Sequence, residues 1–479
     1  MLRARERSIL TFVKVGVARR AARLTEIKAP TGGRSPAARR RLAMYRGHES
    51  VASSRSSDHT AMTKPHAANS PDAPPAHAPP TIQDFFSFGF RPFFLAASIW
   101  AAAAMTLWLT WIAIHAAGGA LRWITIAEAP HVWHAHEMIY GFAIAAVAGF
   151  LLTAVPNWTG ATPMSGHPLA ALFAVWVVGR IAMTASGLLP IALVAIADLA
   201  FIPALGAVAA RQLLVKPQRK NMVFLALLTL LAACNIAYHL AGAGVIGIEP
   251  LAAMRPALMT LVLMVVVIGG RIVPAFTHNW LHLNAPAGPM PRRNAKLDAA
   301  SVGSVVLVLL VMLLPVGDVW LAAAALIAGL ANGARLAGWR GLATRGAPIV
   351  MVLHVGYGWV VIGLLALAVA SATDALSQAA ALHALGAGGI ATMILAVMSR
   401  ASLGHTGRPL VAPRPVASAY WLVSAAAALR AFGPALMPQS YNTIMLTAGA
   451  LWILAFVAFA IVYAPILTTP RTRQRTTVA

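Results

Sequence analysis

From Phe85 onward the chain alternates long apolar runs with short stretches of Pro, Gly, Arg or Lys, and each run is continuous rather than alternating. A helix needs roughly 20 mostly apolar residues to cross about 30 Å of hydrocarbon, and it satisfies its own backbone hydrogen bonds in lipid. The punctuation predicts helices over 93–116, 136–155, 169–187, 189–210, 221–243 and 252–273. Six more are expected over 298–314, 318–336, 348–370, 378–399, 416–432 and 442–466. A spanning β-barrel would show alternating segments of about 10 residues, and these runs are about twice that length. The pattern therefore predicts an all-α, polytopic membrane protein with about twelve transmembrane helices in 85–479.

Residues 1–84 break the pattern. They are rich in Arg, Ser, Ala and Pro, and 69–80 carries almost no large apolar side chain, so a disordered basic tail is expected. Its apolar piece, 9–17, is too short for a signal-peptide core with a cleavage site, and translation starting at Met62 is an alternative reading.

Composition sharpens this picture at two points. The sequence is 59% hydrophobic and only 10% charged, with a mean hydropathy of +0.73, which excludes a water-soluble globule of this length. The net charge of +24 looks like a nucleic-acid signal, but 15 of the 37 Lys and Arg precede Asp84, outside the apolar body. The remaining basic residues cluster at helix ends, so no nucleic-acid partner is expected. Arg211–Lys220, Arg292–Lys296, Arg335–Arg345, Arg400–Arg414 and Arg471–Arg475 all fall on one side, while Glu128, Glu249, Asp318 and Asp374 fall on the other. The positive-inside rule then puts both termini in the cytoplasm. A single cysteine, Cys234, excludes an intrachain disulfide, a Cys-based zinc site and an iron–sulfur cluster.

The second, sixth and tenth helices each finish in a polar turn: PNWTG from Pro156, PAFTHN from Pro274 and SRASLGHTG from Ser399. That spacing suggests three four-helix units.

Ionisable side chains within a bilayer are costly and mark functional positions by default. Histidines dominate here. His134 and His136 in HVWHAHEM open the second helix, and a separation of two residues points them roughly 200° apart, so a regular helix cannot offer both to one metal. Glu137 is placed to orient an imidazole. His239 in the fifth helix and His383 opening the tenth should lie at similar depth, as a shared metal or haem site requires, and His354 lies toward the other end of the ninth. Gly386, Gly388 and Gly389 would let a flat macrocycle approach the tenth helix, or serve close helix packing. At the cytoplasmic side His278, His282, His405, Asn279 and Arg408 form a polar collar, with Arg271 just inside the apolar boundary. Arg180 and Asp198 are buried-charge candidates that can pair with one another.

At these motifs the chain resembles the NnrS family of bacterial membrane proteins: FGFRPFF from Phe88, WHAHEM from Trp133, GFLLTAVPNWTG from Gly149, GGRIVPAFT from Gly269, LHVGYGW from Leu353 and MSRASLGHTGRPL from Met398. The resemblance runs from about Phe85 to the C-terminus. It implies a multi-pass protein of the bacterial inner membrane that carries haem and copper and acts in the response to nitric oxide and nitrosative stress. The expected small-molecule partner is nitric oxide or a related ligand. Carried over by position, the motifs cover His134, His136, Glu137, Arg271, His354, His383 and His405; His278 departs from them. The expected cofactor-binding set is His134, His136, His383, Glu137 and Arg271, with metal ligands drawn from His134, His136, His239, His354 and His383. Within that, His383 and one of His134 or His136 are expected as the axial haem ligands, with His239 nearest for copper. Two other classes compete. A haem-copper oxidase or nitric oxide reductase relative would also have twelve helices and haem histidines on the second and tenth, but no His-His pair or His-Pro-Glu-Val-Tyr run is present. A secondary transporter would share the Pro-interrupted spans and buried charges.

Overall fold

The computed structural model describes residues 81–120, 125–285 and 287–472, so the expected disordered tail lies almost wholly outside the described residues. At its edge, Ile82–Phe85 forms one helical turn, capped by the Thr81 hydroxyl, which accepts from the Asp84 N–H at 3.0 Å. The ordered body thus begins slightly before Phe85.

Among the described residues, twelve helices are long and apolar enough to cross a membrane: α1 Phe90–Ala116, α2 Pro130–Thr159, α3 Gly166–Thr184, α4 Ile191–Leu213, α5 Arg219–Gly242 and α6 Pro250–Asn284. They continue with α7 Ala295–Leu313, α8 Asp318–Ala337, α9 Pro348–Ala372, α10 Gln378–His405, α11 Arg414–Leu436 and α12 Pro438–Thr468. No strand occurs among the described residues. Every expected span is present, and the division of 169–210 into two helices at Gly187–Pro190 holds. The differences are at the ends. Helix α2 starts six residues earlier than expected because Pro130 occupies its first position, where a missing N–H costs nothing. Helix α6 runs ten residues past Pro274, which stays inside the helix. Neighbouring helices make such an internal proline tolerable in a membrane bundle.

Helices α2, α6 and α10 pack pairwise on one another at the centre. Around them, α4 packs on α5, α8 on α9 and α12 on α1, closing the ring. The three helices that end in the recurring polar turn are therefore the three central ones. Burial follows position: 78%, 67% and 67% of the most apolar windows of α2, α6 and α10 are buried, against 28% for α4 and α7. Lipid covers what the outer helices leave exposed, so Ile181, Ile196 and Leu330 face outward without penalty.

Two of the central helices share a defect. Glu137–Ala143 in α2 and Ala384–Ile390 in α10 are π-helical. Each widened turn directly follows a histidine, His136 or His383, and such turns are frequent at functional sites. The π turn of α10 sits against α9 through glycines. A Cβ on Gly363 would stand 2.6 Å from Leu385 Cγ and 2.9 Å from the Leu385 backbone N, so the helices cannot separate cheaply. Gly363→Ala is expected to cost about 1–3 kcal/mol, the range for overpacking. Its melting temperature in detergent should fall, and Gly303→Ala, with nothing within 4 Å, serves as the control; equal melting temperatures would contradict the packing argument.

Candidate functional site

Two constellations flank the π turn of α2, and the two-residue offset between His134 and His136 separates them. On one side is a buried polar cluster drawn from α2, α3, α4 and α5. His136 is fully buried. Its Nδ1 lies 3.0 Å from Glu137 Oε1, and its Nε2 lies 3.2 Å from Asp198 Oδ2 and 3.0 Å from Asn235 Oδ1. His239 Nε2 reaches the same Asp198 Oδ2 at 3.0 Å, and Asn235 Nδ2 donates to that oxygen at 2.7 Å. Arg180 donates to Glu137 Oε1 at 2.6 Å and to Asp198 Oδ1, and Trp100 Nε1 donates to Glu137 Oε2 at 2.8 Å. The rings of Tyr140 and Tyr238 cover His136 at 4.9 and 4.6 Å.

The arrangement follows from charge in a low-dielectric interior. Two carboxylates against one guanidinium leave one formal negative charge, and a buried charge without compensation is strongly unfavourable. Arg180 occupies Asp198 Oδ1 and so turns Oδ2 toward the two imidazoles. His136, Asp198 and His239 can each offer one ligand atom, all within 4.8 Å of one another. Their edges of 3.0 and 3.2 Å are close to the roughly 3.3 Å between ligand atoms of a tetrahedral site with bonds near 2.0 Å. The donor set of imidazole and carboxylate suits Cu(II) or Zn(II).

On the other side of α2 lies a cavity of about 320 Å³, within the range of roughly 300–1,000 Å³ that small-molecule sites occupy. His134 and His383 both line it, with Trp108, Met138, Met254 and Gly386 among the apolar walls. Its liners come from the starts of α2, α6, α10 and α12 and the last parts of α1 and α11, so it lies toward one end of the bundle. His134 stacks on Trp108 at 5.0 Å; its Nδ1 is buried without a hydrogen-bond partner among the described residues. His383 Nδ1 lies 2.7 Å from the Ala379 carbonyl. Bonded to a carbonyl, that nitrogen must carry the proton, which leaves Nε2 with a lone pair for a metal.

The expected single site is thus two sites. The structure joins His136 with His239 and, separately, His134 with His383. The glycines divide as well: Gly386 lines the cavity, whereas a Cβ on Gly388 or Gly389 would strike Trp359 or Val360 of α9. Those two serve helix packing. Arg271 belongs to neither site; it donates to Asn221 Oδ1 at 3.1 Å and to the Lys220 carbonyl at 2.6 Å, the partners its position near the apolar boundary called for. His354 is also remote, with Nε2 2.8 Å from Thr277 Oγ1. In the collar His278 stacks on His282, and the His405 ring lies tilted beside Phe90 at 5.6 Å. Arg180 and Asp198 do pair, as expected, but as members of the larger cluster. Among the residues that escaped the sequence reading, two had a signal in the chain. Asn235 follows Cys234 in an apolar run, and Arg430 stands alone in AAAALRAF; an isolated polar residue inside a span was the available signal in both cases.

A family model described as NnrS protein matches residues 84–471. No curated protein matches the chain.

Proposed function

The chain belongs to the NnrS family and is a multi-pass membrane protein, and on that premise we propose that it carries haem and copper in the bacterial inner membrane and acts in the response to nitric oxide. The observation that supports this most directly is the cavity shared by His134 and His383, two imidazoles from the two π-distorted central helices. The residues present fit a haem. The walls are largely apolar, Gly386 removes a side chain from one face, and His383 Nε2 makes no hydrogen bond among the described residues. His134 and His383 are the imidazoles that would hold a haem, which when bound would supply an iron centre for a diatomic ligand. The chain's own contribution is to hold the rings: Ala379 fixes the tautomer of His383, and Trp108 holds the ring plane of His134.

Copper is assigned to His136, Asp198 and His239. Here Glu137 and Arg180 set the orientation of the ligands, as carboxylates behind a ligating imidazole do. Among the described residues His131, His134 and His383 are the only histidines lining the cavity, so a second metal set facing the haem position is absent there. That speaks against an oxidase-type binuclear centre.

The test is the visible spectrum and metal content of the purified full-length protein. Haem bands with stoichiometric copper support the reading, and a folded, colourless, metal-free protein would favour transport. Orientation is a separate expectation: with both termini cytoplasmic, a fusion after Arg219 should be active with a cytoplasmic reporter. A periplasmic signal there would reverse the topology.

A further inference from the structure

Among the described residues, the guanidinium groups that the fold does not leave exposed are provided for with one exception. Arg180 has Glu137 and Asp198, and Arg335 has Asp298 at 2.7 Å. Arg91 donates to the carbonyls of Leu467 and Thr469, and Arg271 to Asn221 and Lys220. Arg400 lies 3.9 Å over the Phe276 ring. Arg430, inside α11, is different. It is half-buried, lines the cavity, and makes no ion pair and no hydrogen bond among the described residues. A second guanidinium, Arg255 of α6, lines the same cavity; it is exposed and reaches only Gln378 Oε1, at 3.3 Å. No Asp or Glu is among the lining residues.

A cation in an apolar wall, with no acid facing it, stabilises an anion that enters the cavity. Apart from His131, His134 and His383, the rest of the lining, from Trp108 and Trp452 to Met105, Met254 and Met445, suits an apolar body. We infer that Arg430, with Arg255, forms the acid-binding end of this cavity and selects a flat apolar ligand that carries free carboxylates. This inference rests on the haem reading and deepens it: the two arginines hold the acid edge of the ring while His134 and His383 face its metal. Arg430 acts as a positioning residue, fixing how far and in which rotation the ligand enters. A guanidinium suits the role because its fork meets a carboxylate with two parallel hydrogen bonds.

The experiment uses the full chain, produced with haem synthesis blocked and purified in detergent. It is titrated with haemin and, separately, with haemin dimethyl ester, following the visible bands. The ester keeps the iron and the ring and removes both negative charges. Wild type should bind haemin at least about tenfold more tightly than the ester, the equivalent of one charge-assisted hydrogen bond. Arg430→Gln should lose most of that preference by weakening haemin alone, and Arg430→Lys should restore part of it. Equal affinity of wild type for the two compounds overturns the inference and leaves the haem reading standing. Full preference retained in Arg430→Gln also overturns it. Should Arg430→Gln fail to fold, the wild-type comparison still decides. Wild type that binds neither compound refutes the haem reading, and this inference with it.

Discussion

Replacing His383 with Ala abolishes or shifts the haem bands of the purified protein, and replacing His282 with Ala leaves them unchanged. His383 stands on the cavity wall at the start of the α10 π turn, with Nδ1 committed to Ala379 and Nε2 left for iron. His282 lies near the far end of α6, stacked on His278 and outside the cavity. His134→Ala should behave like His383→Ala, because it removes the second imidazole that lines the cavity and also the ring stacked on Trp108. His136→Ala separates the two sites: it should lower copper content while the haem bands persist. The axial assignment fails if His383→Ala and His282→Ala give identical spectra and identical haem content.

The second large effect concerns stability. Arg180→Met leaves Glu137 and Asp198, both fully buried, without the cation that bridges them. Removing one partner of a buried pair costs roughly 3–5 kcal/mol, because the remaining charge can neither ionise cheaply nor reach water. Here two carboxylates lose their shared guanidinium together and keep only hydrogen bonds to His136, His239, Asn235 and Trp100. The variant should give little folded protein, with a melting temperature far below wild type in detergent. The triple change Arg180→Met, Glu137→Gln, Asp198→Asn removes all three charges and should recover much of the loss, since an uncharged cluster avoids the desolvation penalty. A single variant as stable as wild type would show that the bridge contributes nothing. Asp198→Asn alone also tests the metal assignment. It keeps the shape but removes the carboxylate facing His136 and His239, so copper should fall and haem should not.

Much of the architecture was legible along the chain. Lipid imposes one rule on every span, about 20 apolar residues with internally satisfied backbone, so helix number and order follow from local composition. The shared polar endings of the second, sixth and tenth helices even marked the three that pack centrally. Helix ends were less legible, because Pro130 and Pro274 carry opposite meanings at a first turn and inside a bundle. The histidines were legible as a group, being expensive wherever they lie in a membrane. Their partition was not. That His136 meets His239 while His134 meets His383 depends on which helices are neighbours, and each of these pairs lies more than a hundred residues apart in the chain. Arg430 shows the same division. Sequence alone places a guanidinium in an apolar run, but only the folded bundle decides that it faces a cavity with no acid in its wall, where burial turns a lone charge into a demand for an anion.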